Sequence, residues 1–315
     1  MKISDNLDKN DFPIKYNKMF RILGKTQEAH IVKRKKPEAL LKGLVELSSL
    51  PFIYIKINEA VNNPLSSIQD ISEIISGDPG LTSRLLRLVN SAFYGFRSKV
   101  DTVSRALLMV GTQQIRDLAL ATSVMSLFKG IPGHLVSMES LWRHSVACGL
   151  AARMLATGLR CDTNVELFFT AGIVHDIGRL VIYKKVPEMA KEMILRCKTN
   201  KEPLCVVEKE MLGFDHSDLG RMLAQSWNLP PSLEEVLACH HFPWEAKQYP
   251  VETGVIHIAD YIVHGMQLGD SGEWYVPSLD ENVWELSGIP ASVLSSLPDR
   301  LMQEFEDVVQ SLWEI

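Results

Sequence analysis

The chain has 315 residues, a net charge of −5, 46% hydrophobic residues and 23% charged residues. That length suits about two domains, or one large domain with two lobes, and the composition excludes disorder, collagen and coiled coil as overall descriptions. No stretch approaches the ~18 consecutive apolar residues of a membrane span, and MKISDNLDKNDF is too polar for the core of a secretory signal, so a cytoplasmic protein with no membrane association is expected. Cys148, Cys161, Cys197, Cys205 and Cys239 are odd in number and lack C-x-x-C spacing, which points to neither a disulfide framework nor a zinc ribbon.

Charge is spread unevenly. Met1–Lys42 holds 11 Lys and Arg against 5 Asp and Glu, and Val251–Ile315 holds 1 against 12. Residues 1–36 read as a basic polar leader, densest at Lys33-Arg34-Lys35-Lys36. Such an arm can contact nucleic acid or an acidic membrane, but a solvated leader is the simpler reading. Apolar residues then recur three and four apart, which predicts an all-α fold of two helical lobes, with strand-like alternation confined to short pieces such as Phe52–Ile57. Pro37 opens a helix over Pro37–Leu50, and Pro51 stops it. A second helix includes Ile57–Val61, and Ser66 or Ser67 caps a third that ends at Gly77. Asp78-Pro79 starts a helix running to Phe93, because Asp accepts from the free amides and Pro is pre-set for the first position. Leu81, Leu85, Leu86, Leu88 and Val89 form its inward face. Thr102–Val110 and Thr112–Phe128 flank Gly111 with the spacing of a helix-turn-helix. The second of these carries Gln113, Gln114, Arg116 and Asp117 but few other polar groups, so helix packing is favoured and nucleic acid is not an expected partner.

Gly130-Ile131-Pro132-Gly133 marks the boundary between a front lobe, residues 37–130, and a second lobe, residues 131–266. Met138–Leu159, Asn164–His175, His216–Trp227, Ser232–His241 and Gly254–Met266 read as helices. Residues 267–315 form an acidic helical extension with a break near Pro298. The second lobe holds His144, His175-Asp176, His216, His240-His241 and Asp260. Imidazole and carboxylate are ligands of iron, manganese and zinc, and one Asp can bridge two cations. A dinuclear site in a helical bundle uses about six such side chains. His257 and His264, each alone on an apolar helix face, read as hydrogen-bonded core residues, and Cys239 should point away from the site, since neighbours on a helix lie ~100° apart.

His144, then Ala171-Gly172-Ile173-Val174-His175-Asp176-Ile177-Gly178-Arg179, then Asp260 resemble the H…HD…D signature of the HD superfamily of metal-dependent phosphohydrolases. Leu50-Pro51, the stretch from Asp78-Pro79-Gly80-Leu81 to Phe93-Tyr94-Gly95, and Ala106-Leu107 with Val110-Gly111 closely resemble the HDOD domain, an all-helical relative found in bacterial signal-transduction proteins. The resemblance covers Pro37–Val263. It implies an HD-like second lobe and a protein that acts through protein contacts. By similarity to the HD-GYP branch, which hydrolyses cyclic di-GMP, His144, His175, Asp176 and Asp260 would hold one divalent metal. His216, His240 and His241, with Asp176 bridging, would hold a second. Iron or manganese is expected before zinc, because the set contains no thiolate.

The chain departs from that branch on the substrate side. Phe242-Pro243-Trp244-Glu245 and Gln248-Tyr249-Pro250 follow the paired histidines, so the glutamate and Gly-Tyr-Pro loop of that branch are absent. Arg179 stands where many active relatives carry lysine; arginine stays charged and cannot shuttle a proton, although it can still contact phosphate. The preferred reading is therefore a signalling module that retains its metal ligands and contacts signalling proteins on separate chains. The alternative is an active phosphohydrolase, with Asp176 bridging two cations that activate water and Arg179 steadying a phosphate ester ligand.

Overall fold

The computed structural model describes residues 36–41, 50–125, 136–159, 164–274, 276, 279 and 282–313. Among them every regular element is helical, as the apolar periodicity predicts. The basic leader, most of the Pro37–Leu50 helix and the Gly130–Gly133 boundary lie outside the described residues.

The front helices are α1 (Pro37–Leu41), α2 (Phe52–Asn62), α3 (Ile68–Ser76), α4 (Pro79–Asn90), α5 (Val103–Val110) and α6 (Thr112–Met125). Local capping sets several of their ends. Ser67 Oγ accepts from the Asp70 amide at 3.2 Å while Asp70 Oδ2 accepts from the Ser67 amide at 2.7 Å, a capping box that starts α3. Asp78 Oδ1 accepts from the Leu81 amide at 2.9 Å and Pro79 occupies the first turn of α4. Phe52–Ile57 is helical, not extended: Tyr54 and Ile57 face the core from α2 while Phe52 and Ile55 remain outside. The alternation over so short a run is one face of a helix. Helix α4 stops at Asn90, three residues before Phe93, because the Asn90 side chain turns to bond Val100 in both directions, each at 2.7 Å. Gly111 joins α5 to α6 at φ +106°, a left-handed conformation that favours glycine. Ile115, Asp117, Leu118, Ala119, Leu120 and Ala121 of α6 are buried, so this helix packs as core.

The second set comprises α7 (Met138–Ala156), α8 (Val165–Val174), α9 (Ile177–Lys185), α10 (Pro187–Asn200), α11 (Leu204–Leu212), α12 (His216–Ser226), α13 (Pro231–Cys239), α14 (Pro250–Met266), α15 (Val283–Ser287) and α16 (Leu297–Trp313). Helices α9, α10 and α11 are not predicted by the sequence pattern, while α15 and α16 fall within the predicted helical extension. The expected break near Pro298 falls before α16, and Pro298 sits in that helix's first turn, where its missing N–H costs nothing. From His144 to Ala156 every residue of α7 except Arg153 is buried. A helix buried on all sides is a central helix, and α7 packs against α8, α14 and α16. The front and second sets belong to one compact unit, α6 lying against α8 and α4 against α16. Phe93 meets Phe169 edge-on at 4.7 Å, and the Arg153 guanidinium stacks 4.0 Å over Phe93 while lying 3.5 Å from Glu166. Among the described residues no helix is long and apolar enough to cross a membrane.

Candidate metal centre

The cluster forms where five helix ends and faces meet. His144 lies within α7, His175 and Asp176 occupy the junction of α8 and α9, His216 opens α12, His240-His241 follow α13, and Asp260 lies within α14. Two glycines allow this convergence. A Cβ on Gly172 would stand 2.5 Å from the Gly149 amide nitrogen, so α7 and α8 touch backbone to backbone and bring His144 beside His175. A Cβ on Gly178 would stand 1.9 Å from the His216 carbonyl oxygen, so α9 and α12 meet just as closely beside Asp176.

All seven residues predicted as ligands converge. Asp176 lies between two groups of donors. Its Oδ2 is 3.5 Å from His175 Nε2 and 4.0 Å from His144 Nε2; its Oδ1 is 3.2 Å from His216 Nε2 and 3.7 Å from His240 Nε2. In the first group, one donor atom from each of His144, Cys148, His175 and Asp260 lies within 4.8 Å of the others; in the second the same holds for Asp176, His216, His240 and His241. The 3.2–4.0 Å separations around Asp176 suit donors at ~2.0–2.3 Å from a common ion. His175 and His216 are wholly buried, and His241 is half-buried. His175 Nε2, His240 Nε2 and both Asp176 oxygens are buried without a hydrogen bond. Arg179 Nε, 3.0 Å from Asp176 Oδ1, offsets part of that carboxylate's burial; for the two imidazole nitrogens burial without a partner is costly, and a cation among them would remove the cost. On these grounds the residues fit a metal.

The cluster's charges are set by burial and by one another. Burial lowers the His144 pKa to about 4 and holds His241 well below the ordinary histidine value. Burial opposes ionisation of Asp176, but Arg179 and His175 hold its carboxyl well below the usual range; for Asp260 the opposing charge comes chiefly from His264. Burial also disfavours charge on His216, yet the Glu208 carboxylate raises it to about 10. Glu208 Oε2 lies 2.6 Å from His216 Nδ1 and accepts from the His216 amide at 2.9 Å. This directs Nε2 inward, as a carboxylate behind a metal-ligating histidine does.

Arg179 is fully buried, with Nε 3.0 Å from Asp176 Oδ1. Its Nη1 donates to the Ser271 carbonyl at 2.9 Å and the Ser271 hydroxyl at 3.1 Å, and Nη2 lies 3.8 Å from Glu273. It is thus tied between the Asp176 carboxylate and the loop after α14. His257 takes the expected core role, Nδ1 meeting the His240 carbonyl at 2.8 Å. His264 is hydrogen-bonded as well, Nδ1 meeting the Asp260 backbone carbonyl at 3.0 Å, and it also borders the cluster: the same Nδ1 is 3.0 Å from Asp260 Oδ1, and its ring packs on His144 at 4.6 Å. Cys148 also enters the first group, which removes the thiolate-free premise behind the preference for iron or manganese. Cys148 follows His144 by four residues and His264 follows Asp260 by four, the spacing that places side chains on one helix face. Glu208 carries no comparable sequence signal.

Comparison with known proteins agrees with the fold. The chain is 22% identical to a Geobacter sulfurreducens HDOD domain protein of unknown function, with a TM-score of 0.73 over 87% of this chain and 96% of that one. A Shewanella amazonensis SB2B structure named "Putative phosphohydrolase" is 27% identical, with a TM-score of 0.67 over 87% and 97% of the two chains. A curated relative, an uncharacterized protein of Treponema pallidum (strain Nichols), is 26% identical over 205 residues, or 65% of this chain; the match spans only 39% of that protein. The HDOD domain itself matches residues 47–243, more than half of the sequence. The chain belongs to the HDOD domain family.

Proposed function

We propose that this protein is a bacterial signal-transduction module that binds divalent metal in its second lobe and acts through contacts with signalling proteins on separate chains. The convergence of seven histidines and carboxylates, all buried except the half-buried His241, with His175 Nε2 and His240 Nε2 lacking a hydrogen bond, supports the metal. Closure of the same centre favours signalling over turnover: His144, His175, His216 and His240 are at most 1% exposed, leaving a phosphate ester little to meet. Arg179 supports this reading too, since its buried guanidinium is bonded to Ser271 through Nη1 and ion-paired with Asp176 through Nε. Metal pairs in such sites neutralise phosphate and activate water. The chain's own part is to hold Asp176 ionised between the two donor groups, with His216 oriented by Glu208 and Asp260 flanked by His144 and His264.

The alternative, a metal-dependent phosphohydrolase, draws on the ligand set and on the name carried by the Shewanella structure. One experiment separates the two. Protein purified without added cations is analysed for metal and then assayed, metal-loaded, on cyclic di-GMP and on simple phosphate esters. Bound metal that is reduced in Asp176→Ala, with little or no turnover, is expected. Cyclic di-GMP turnover near the ~10 s⁻¹ enzyme median, abolished in His175→Ala, would make the protein a phosphodiesterase.

A further inference from the structure

The two donor groups differ in chemistry. Asp176, His216, His240 and His241 offer nitrogen and oxygen alone, whereas the first group includes sulfur. Cys148 is wholly buried one turn beyond His144 on α7, and its Sγ lies 3.5 Å from His144 Nε2 and 3.7 Å from Asp260 Oδ1. His144 Nε2 and His175 Nε2 lie 3.1 and 3.6 Å from the same Asp260 oxygen. Donors held ~2.0–2.3 Å from a zinc-type ion are separated by about 3.3–3.7 Å along the edges of a tetrahedron, and the four distances fall on or near that range. A second, independent observation points to a ligand: His175 Nε2, in a wholly buried ring, faces this group without a hydrogen-bond partner. The backbone that carries this thiol is closely packed, because Gly172 lies against Cys148 and Gly149.

We infer that Cys148 is a thiolate ligand of the first metal position and that Cys148, His144, His175 and Asp260 close it as a four-donor site for a thiophilic, zinc-type divalent cation. On binding, the thiol proton passes to solvent and the sulfur lone pair to the cation. The second position takes its ion through nitrogen and oxygen only. The inference rests on the metal-centre reading above and sharpens it: a position filled by four protein donors has the character of a structural site, whereas a catalytic one keeps a place for water.

The test uses the full chain, stripped by chelation, reloaded with cobalt(II), desalted and analysed for retained metal. The wild-type protein should show a near-ultraviolet sulfur-to-cobalt charge-transfer band that Cys148→Ser loses and Cys239→Ser keeps. Zinc-loaded wild-type protein should show a sulfur scatterer at ~2.3 Å by X-ray absorption, a measurement that stands even if Cys148→Ser fails to fold. Retained metal with no charge-transfer band and no sulfur scatterer, or a band that persists in a folded Cys148→Ser, would overturn the thiolate assignment and leave the metal centre standing. Failure of the folded wild-type protein to retain any metal would overturn both.

Discussion

Gly178→Ala tests whether the backbone contact between α9 and α12 holds the metal centre together. The added Cβ would stand 1.9 Å from the His216 carbonyl oxygen, 2.8 Å from its carbon and 2.9 Å from the Gly220 amide nitrogen. All three are backbone atoms, so no rotamer change relieves the overlap. Restoring ordinary contact near 3.4 Å requires the two helix starts to part by about 1.5 Å in a close-packed interior. The 3.2 Å separation of Asp176 Oδ1 and His216 Nε2 would then open to as much as ~4.7 Å, beyond the ~4.0–4.4 Å that two donors on one ion can span at ~2.0–2.2 Å each. Overpacking costs ~1–3 kcal/mol, occasionally more, which in a unit of this size corresponds to a fall in Tm of about 2–5 °C. Thermal unfolding by circular dichroism and metal analysis of the purified variant check both effects. Gly265→Ala is the control: it lies in α14 with nothing within 4 Å of its Cβ position, so alanine's better helix propensity should leave stability unchanged or raised by up to ~1 kcal/mol. A Gly178→Ala protein with wild-type Tm and full metal content would refute this account of how the centre is held.

Glu208→Gln should weaken metal binding ~10–100-fold while the protein stays folded, because the charge behind His216 is removed and second-layer partners typically contribute that much; competition with a chromophoric chelator measures it. Metal uptake should also be pH-dependent. In metal-free protein the folded-state pKa of His216 is raised to about 10, so its charged form contributes stability that is fully present below the unfolded value of ~6.5 and is lost as pH rises towards 10. At pH 7 the ring must therefore shed a proton to bind metal, and affinity should rise with pH from 7 to 9. Calorimetry in buffers of different ionisation enthalpy should count at least one proton released, and equal heats across buffers would contradict the His216 assignment.

Much of this protein is written in short-range pattern. The starts of α3 and α4 follow from Ser67 and from Asp78-Pro79, because a cap is a bond between residues three apart and needs no knowledge of the rest of the fold. The all-helical class follows from apolar periodicity, and the seven ligands stand out because their types and order resemble a known signature. Other features were settled only by tertiary packing. Phe52–Ile57 alternates like a strand yet is helical, since its neighbours supply a face to bury Tyr54 and Ile57. Cys148 and His264 share helix faces with predicted ligands, but being on a face does not say what that face meets; the packing of α7 against α14 places Cys148 at Asp260 and sets His264, one turn along α14 from Asp260, against His144. Glu208 behind His216 and Ser271 and Glu273 around Arg179 are separated from their partners by 8, 92 and 94 residues. Metal-donor geometry and charge depend on distances of a few ångströms between side chains on different helices, and those distances exist only once the helices have packed.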